Sequence, residues 1–126
     1  MVFYSILRIV KNKKNMIFSE SLKKNKDFQN VYHKGTSQAN RYLVMYILEN
    51  EYKKNRLGIQ VSKKVGNSVV RHRITRLIRE GYRLNEMKFK EGLDIVVIAR
   101  TSSKGISYHD MEGALLHLAK KQEMLK

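Results

Sequence analysis

Apolar residues recur along this chain with helical spacing in some segments and with strand-like alternation in others. Phe28, Val31 and Tyr32 lie at positions i, i+3 and i+4, which places them on one face of a short helix. The pattern predicts a helix over residues 25–34, and Gly35 is a suitable residue to end it.

Two segments alternate with the period of a strand. Residues 42–48 are aromatic and β-branched, and residues 56–62 alternate apolar positions with Gly58 and Gln60. The polar loop between them is too short for a parallel crossover, so we predict that they pair as an antiparallel hairpin. In the first strand, alternation separates two sets of side chains, Tyr42, Val44, Tyr46 and Leu48 against Leu43, Met45 and Ile47.

A long amphipathic helix is predicted to begin at Gly66-Asn67-Ser68 and to run to about Leu84. At about 100° per residue, its apolar positions fall within one sector. The opposite side is basic, and Arg71 and Arg73 lie at the two edges of the apolar stripe. The stripe contains Val70, Ile74, Leu77 and Ile78, and the basic side contains His72, Arg76, Arg79 and Arg83.

The last third of the chain predicts one strand and one helix. Residues 93–99 are almost continuously apolar, as expected of a strand that is covered on both faces. Ser107 and Asp110 resemble a capping box that opens a final helix. The order helix, hairpin, helix, strand, helix predicts a small α/β (α+β) two-layer sandwich. The apolar face of the final helix consists of Met111, Ala114, Leu115 and Leu118.

A chain of 126 residues is expected to form one domain, which we place at residues 21–126. Residues 1–20 are predicted to be a flexible basic arm, because the run from Lys11 to Asn15 is polar and has no periodicity. Met16 is an alternative start, which would make the preceding residues an artefact of the gene assignment. The apolar stretch before Lys11 has no basic segment ahead of it and no cleavage signature, so it does not resemble a signal peptide.

The net charge narrows the choice of partner. The chain has 26 Lys and Arg but 11 Asp and Glu, which gives a formal charge of +15. A polyanion would relieve this self-repulsion, so nucleic acid is the first expectation and an anionic membrane surface the second. The absence of Cys excludes disulfide scaffolds, thiol catalysis and Cys-based zinc sites. No apolar run is long enough to span a membrane, and we expect a soluble cytoplasmic protein.

Residues that could carry catalysis are sparse. Glu80, Glu86 and Glu91 are scattered, and no Asp-x-Asp pattern is present to hold magnesium. The four His residues lack metal-ligand spacing, and neither a glycine-rich phosphate loop nor a nucleophile elbow is found. We therefore predict no catalytic residue and no metal ligand in the protein.

The strongest binding signal is a basic segment at residues 53–79, which has nine Lys or Arg and no Asp or Glu. An ordinary solvated helix face is the alternative, but such faces usually mix charges of both signs. The single sign favours phosphate binding, and Arg suits bidentate contact with phosphate oxygens.

Aromatic residues give a second signal. Phe28 and Tyr32 share a helix face, while Tyr42 and Tyr46 share a strand face. Each could be an ordinary core residue, although a buried Tyr needs a partner for its hydroxyl. A half-open aromatic groove beside a basic helix is typical of a platform for single-stranded nucleic acid.

The segment from Ser62 to Glu80 resembles the signature of the bacterial ribonuclease P protein component. Residues 22–28, 35–41 and 94–100 resemble other blocks of that family, and the resemblance covers about residues 20–120 in order. Two departures stand within the signature. His72 replaces the family's usual Asn, and Thr75 replaces a frequent Lys, which puts a hydrogen-bonding role in doubt and removes one positive charge.

The resemblance implies a role in tRNA processing. In this family a large RNA cleaves the 5′ leader from precursor tRNA using magnesium, while the protein binds that RNA and contacts the leader. It implies no cofactor bound by the protein itself, no membrane partner and no small-molecule substrate. It also implies a mixed sheet of about four strands with a central basic helix and a left-handed β-α-β crossover, similar to some ribosomal proteins.

Carried over by position, the resemblance implies two sets of contact residues. Those expected to contact the catalytic RNA or leader phosphates are Lys63, Lys64, Arg71, His72, Arg73, Arg76 and Arg79. Those expected to line the leader groove are Phe28, Tyr32, Val44 and Tyr46.

Three alternatives remain open from the sequence. A structural protein that binds ribosomal RNA would share the charge and the fold class. A helix-turn-helix DNA regulator needs a short helix where a strand is predicted at residues 56–62. A protein-only nuclease lacks the carboxylates that it would require.

Overall fold

A five-stranded mixed sheet organises the protein, which we describe over residues 16–126 of a computed structural model. Short 3₁₀ turns follow the second helix at Glu86–Lys88 and the fifth strand at Thr101–Ser103. The main elements in chain order are β1 (Ser19–Ser21), α1 (Asn25–Lys34), β2 (Thr36–Ala39), β3 (Leu43–Glu49), β4 (Asn55–Gln60), α2 (Ser68–Asn85), β5 (Leu93–Ala99) and α3 (Tyr108–Lys121).

The strand order is β1-β4-β5-β3-β2, so the predicted hairpin between residues 42–48 and 56–62 is wrong. β5 lies between β3 and β4, antiparallel to the first and parallel to the second. The short loop excludes a parallel pair but does not oblige its two strands to be neighbours. β5 is the most apolar strand, and the central position of the sheet buries it almost completely.

The sheet has five strands, one more than the four or so that the resemblance implies, and two of them, β1 and β2, were missed by the hydrophobic pattern, which predicted three. β1 pairs with β4 in parallel, and β2 pairs with β3 in antiparallel orientation. Both are short and polar, and every residue of β2 is exposed, so neither has the apolar alternation of a strand. The β4-α2-β5 connection joins parallel neighbours, as the implied crossover requires. Its left-handedness stays a prediction.

The sheet sorts its side chains onto two unequal faces. One face packs under α2 and α3 and forms the main core, where Ile74, Ile78, Ile95 and Leu115 are completely buried. α1 covers part of the other face with a smaller apolar cluster. The predicted alternation of β3 is confirmed for Leu43, Met45 and Ile47, which face the main core, and for Tyr46 and Leu48, which pack with the cluster under α1. Tyr42, predicted to share the face of Tyr46, lies just before the strand and packs against the main core instead.

The helix boundaries follow local signals in the sequence. α1 spans the predicted residues, and the backbone N–H of Gly35 donates to the Val31 carbonyl at 2.8 Å. Asn67 caps α2 by accepting a hydrogen bond from the Val70 N–H at 3.0 Å. Ser107 caps α3 in the same way. Each cap satisfies a backbone group that the end of a helix leaves without a partner.

Residues 16–20 belong to the folded body, although they were predicted to be part of a flexible arm. The Ser19 hydroxyl hydrogen-bonds the buried Tyr82 hydroxyl at 2.7 Å. The Glu86 carboxylate accepts from the backbone N–H groups of Ile17 and Phe18 at 2.9 and 2.7 Å. These contacts hold β1 on the edge of the sheet. The rest of the predicted arm, residues 1–15, lies outside the described residues.

The helices α1, α2 and α3 are short or polar compared with membrane-spanning helices. Within residues 16–126, none of them combines the length and the apolar character that crossing a bilayer requires.

Gly58 lets α1 approach the sheet closely, and its replacement tests that contact. An alanine Cβ at this position would lie 2.5 Å from the Phe28 ring, which is buried and cannot turn aside freely. We expect Gly58→Ala to lower the free energy of unfolding by about 1–3 kcal/mol through overpacking.

The control for Gly58→Ala is Gly113→Ala in α3, where the added Cβ meets no atom within 4 Å. That change should raise stability by about 0.5–1 kcal/mol, because alanine favours the helix. Urea denaturation measures both variants. Equal stabilities for the two would contradict the close approach of α1.

Candidate nucleic-acid interface

A basic surface covers the outer side of α2 and the loop before it. The Ile74 and Ile78 side chains turn into the main core, so side chains on the opposite side of the helix, such as His72, Arg76 and Arg79, face outward. Arg71 is half-buried and the other cationic members are exposed. All seven residues predicted to bind RNA lie on α2 or in the loop before it, and we define the basic surface as Lys63, Lys64, Arg71, His72, Arg73, Arg76 and Arg79.

Packing restrains part of the basic surface. The Arg73 guanidinium donates to the Ile106 carbonyl at 2.8 Å, so this side chain leans toward the segment before α3. The Arg71 Nε is buried and has no hydrogen-bond partner. Thr75 is half-buried and its hydroxyl donates to the Arg71 carbonyl at 2.9 Å. The position where the family often has Lys thus adds no charge to this surface.

Two arginines, one from the predicted basic side of α2 and one from the basic segment at residues 53–79, are bound to carboxylates within the protein. Arg83 was predicted to lie beside Arg79, but it is only 6% exposed and pairs with Glu80. The last turn of α2 is covered by α3, where Asn85 donates to Glu112 at 2.9 Å. Arg56, one of the nine cations of residues 53–79, is bound to carboxylates of the sheet and α1.

Phe28 lies beneath α1 and not along an open groove. Its ring is 8% exposed and packs with Leu22, Val31 and Val96 in the smaller apolar cluster. The close passage of Gly58 makes room for this ring. Of the four residues predicted to line the groove, Phe28 is therefore the one that forms its buried support.

Tyr32 and Tyr46 form the open aromatic part of this face. Their rings meet edge to face, with centroids 5.1 Å apart and planes inclined by 75°. Both are half-buried, and Val44 lies two residues before Tyr46, on the same face of β3. The Tyr32 hydroxyl donates to Gln60 at 2.6 Å. Burial and the neighbouring Tyr46 raise the pKa of Tyr32, so its hydroxyl is neutral near pH 7.

The sequence prediction missed two members of this groove, which we define as Tyr32, Val44, Tyr46, Gln60 and Ile98. Gln60 and Ile98 are Cα partners across β4 and β5, and Val44 and Ile98 are partners across β3 and β5. Alternation in β4 indicated the face of Gln60, but only the strand order places it beside the tyrosines. Ile98 belongs to a continuous apolar run that carries no alternation.

The aromatic groove and the basic surface are neighbours along the chain. β4 ends at Gln60 in the groove, and Lys63 and Lys64 follow before α2 begins at Ser68. A short segment of chain therefore joins the aromatic groove to the basic surface.

Of the three glutamates weighed as catalytic residues, two have structural contacts and one is exposed. Glu80 pairs with Arg83, Glu86 accepts backbone hydrogen bonds, and Glu91 lies exposed in the turn before β5. Within residues 16–126, no group of three or more His, Cys, Asp or Glu side chains is arranged to hold a metal ion.

The strand β4 directly before α2 leaves no place for the first helix of a helix-turn-helix, so that alternative is excluded.

Comparisons with known proteins point to one family. The family model described as Ribonuclease P matches residues 16–123. The ribonuclease P protein component of Lachnoclostridium phytofermentans is 61% identical over 107 residues, which is 85% of this chain and 92% of the relative. That of Alkaliphilus metalliredigens is 53% identical, covering 85% and 96%.

Solved structures agree with the sequence comparison. The Staphylococcus aureus RNase P protein superposes with a TM-score of 0.79 at 41% identity, covering 84% of this chain and 97% of the other. The Thermotoga maritima RNase P protein gives 0.74 at 31% identity, covering 80% and 96%. Family model, relatives and fold thus coincide over the segment that contains both the basic surface and the aromatic groove, and the chain belongs to the ribonuclease P protein family as a protein component of that ribonuclease.

Proposed function

We propose that this protein binds the catalytic RNA of ribonuclease P and the 5′ leader of precursor tRNA, and that it assists removal of the leader. The observation that carries the proposal is the basic surface of α2 together with a half-open aromatic groove, which the segment from Gln60 to Ser68 joins along the chain. In this assignment Lys63, Lys64, Arg71, His72, Arg73, Arg76 and Arg79 contact RNA. Tyr32, Val44 and Tyr46 contact the leader, and Phe28 supports them from below.

The basic surface suits phosphate contact because it has one sign of charge and is mostly arginine. Guanidinium groups bind phosphate oxygens through two parallel hydrogen bonds. Residues 53–79 contain no carboxylate, and Glu80, which follows them on α2, pairs with Arg83. Binding of this kind depends little on sequence and strongly on salt. The role is therefore docking on RNA backbones.

The aromatic groove suits unpaired nucleotides because every base has a flat π-face that can stack on tyrosine. Tyr32 and Tyr46 are half-buried, so part of each ring remains open to a ligand. A base paired in a duplex could not enter this groove without leaving its stack. The leader is the unpaired segment of the substrate, which supports its assignment to the groove.

We assign the chemical step to the RNA subunit, which uses magnesium, and no cofactor to the protein. The engagement of Glu80 with Arg83 and of Glu86 with backbone N–H groups supports this division. Membranes and small-molecule substrates have no part in the proposal, and the expected location is the cytoplasm.

Cleavage of precursor tRNA by the cognate catalytic RNA, with and without the protein, tests the proposed function. We expect the protein to stimulate cleavage strongly at low magnesium, because it supplies cationic charge to the complex. A structural ribosomal protein, the alternative that the sequence left open, would give no such stimulation. Absence of stimulation would therefore overturn the proposal.

Glu91→Gln tests whether the protein supplies a catalytic ligand. We expect the single-turnover cleavage rate to be unchanged at saturating protein and magnesium, because Glu91 is exposed and belongs to no group of metal-ligating side chains within residues 16–126. Glu80→Gln should also leave that rate unchanged while lowering stability, since it loses its pairing with the buried Arg83. A large loss of the chemical rate in either folded variant would show that protein carboxylates take part in cleavage.

A further inference from the structure

α1 forms one wall of the aromatic groove, yet its apolar attachment to the sheet is small. A helix of ten residues is not stable alone in water, so its position depends on its contacts. The cluster beneath it has four buried members, including Phe28 and Val31. Within residues 16–126, two side-chain polar contacts link α1 to the sheet, one from Asp27 and one from Tyr32.

Arg56 is the centre of the contact at the Asp27 end. Its Nε and Nη2 donate to the two carboxylate oxygens of Asp94 at 2.8 and 2.6 Å. Its Nη1 reaches Asp27 at 3.5 Å, and its guanidinium lies 4.6 Å from the centre of the Tyr52 ring. The Arg56 and Asp94 side chains are 17% and 3% exposed. Asp94 of the sheet therefore fixes the guanidinium through Nε and Nη2, and the remaining nitrogen, Nη1, is the one that contacts α1.

The Tyr32–Gln60 contact holds the other end of α1, and it belongs to the groove itself. The separation of the Tyr32 and Tyr46 rings thus depends on where the first turn of α1 rests. Asp27 lies five residues before Tyr32 on the same short helix. A shift of the first turn would tilt the helix about Phe28 and change the opening of the groove.

We propose that Asp27 and Arg56 are positioning residues of the leader groove, in which the sheet-bound guanidinium of Arg56 sets the position of α1 through Asp27. The inference rests on the proposed function, because it assigns to this pair the geometry of the leader site. It also removes Arg56 from the cations that face RNA, although its place in the basic segment suggests the opposite.

Asp27→Ala tests the pair while leaving the Arg56–Asp94 contact intact. Glu20→Ala is the matched control, because it raises the net charge equally and breaks an exposed pair with Lys54 at 3.2 Å. We expect holoenzyme carrying Asp27→Ala to bind leader-bearing precursor tRNA about five- to tenfold more weakly than the control. Its affinity for mature tRNA and its saturated cleavage rate should match the control, and Asp27→Glu should restore leader affinity.

Two results would overturn the inference: equal leader affinity for Asp27→Ala and Glu20→Ala, or an equal loss on both tRNAs. If Asp27→Ala does not fold, Asp27→Asn compared with Glu20→Gln replaces it and is judged by the same criteria. The wild-type holoenzyme separates the two levels of the proposal. If it binds both tRNAs equally, the leader-binding function fails. If it discriminates and Asp27→Ala discriminates as well, only the positioning role fails.

Discussion

Raising the salt concentration from about 50 to about 200 mM is expected to weaken binding to the catalytic RNA by roughly two to three orders of magnitude. The basic surface contains six Lys and Arg residues together with His72. Each neutralised phosphate releases counterions, which contributes about −0.7 to −0.9 to the slope of log affinity against log salt. Six contacts therefore predict a slope of about −4 to −5.

Arg76→Ala gives this salt experiment its internal comparison. Loss of one exposed arginine from the basic surface should weaken binding and flatten the slope by about one unit. Lys120→Ala removes one exposed charge from α3, outside the basic surface, and should leave the slope unchanged. A wild-type slope near one would contradict phosphate binding by α2.

Phe28→Ala is expected to lower the free energy of unfolding by about 3–5 kcal/mol, a large part of the stability of a small domain. The reason is burial, since the ring is 8% exposed and fills the space above Gly58. Tyr46→Ala removes a half-buried ring from the groove itself. It should weaken binding of leader-bearing precursor tRNA by about 1–3 kcal/mol, the value of one stacked base.

The two aromatic variants are separated by measuring urea denaturation and substrate affinity on each. Tyr46→Ala should leave the affinity for mature tRNA unchanged, because mature tRNA has no leader. Near-native stability of Phe28→Ala, combined with a selective loss for leader-bearing tRNA, would instead place the Phe28 ring in contact with the leader. Equal losses on both tRNAs for Tyr46→Ala would remove Tyr46 from the leader site.

Local patterns predicted most of the elements because each is encoded over a few neighbouring positions. The helix at residues 25–34 and the strand at residues 93–99 have their predicted bounds, since apolar spacing and end signals coincide there. The order of the strands depends on β5, which comes after a whole helix. No short-range pattern indicates that β5 will insert between β3 and β4.

The candidate site was predictable where charge alone defines it and less so where packing does. The exposed cations of α2 follow from a basic run and one apolar stripe. The roles of Arg56 and Phe28 depend on partners about thirty or more positions away, Asp94 for the first and Gly58 for the second. Gln60 enters the groove only because β5 brings β4 and β3 to opposite sides of itself.

The central position of β5 has a consequence for folding of the chain during its synthesis on the ribosome. β3 and β4 are made early, but neither has its long ladder until residues 93–99 emerge. The sheet therefore closes late in translation, and its rate of formation is governed by distant pairings. Until then, the backbone N–H and C=O groups of β3 and β4 that pair with β5 have no partner strand, and exposed unpaired strands favour aggregation. The net charge of +15 makes incomplete chains repel one another. The same charge that attracts a polyanion to the folded protein therefore opposes aggregation of the nascent chain.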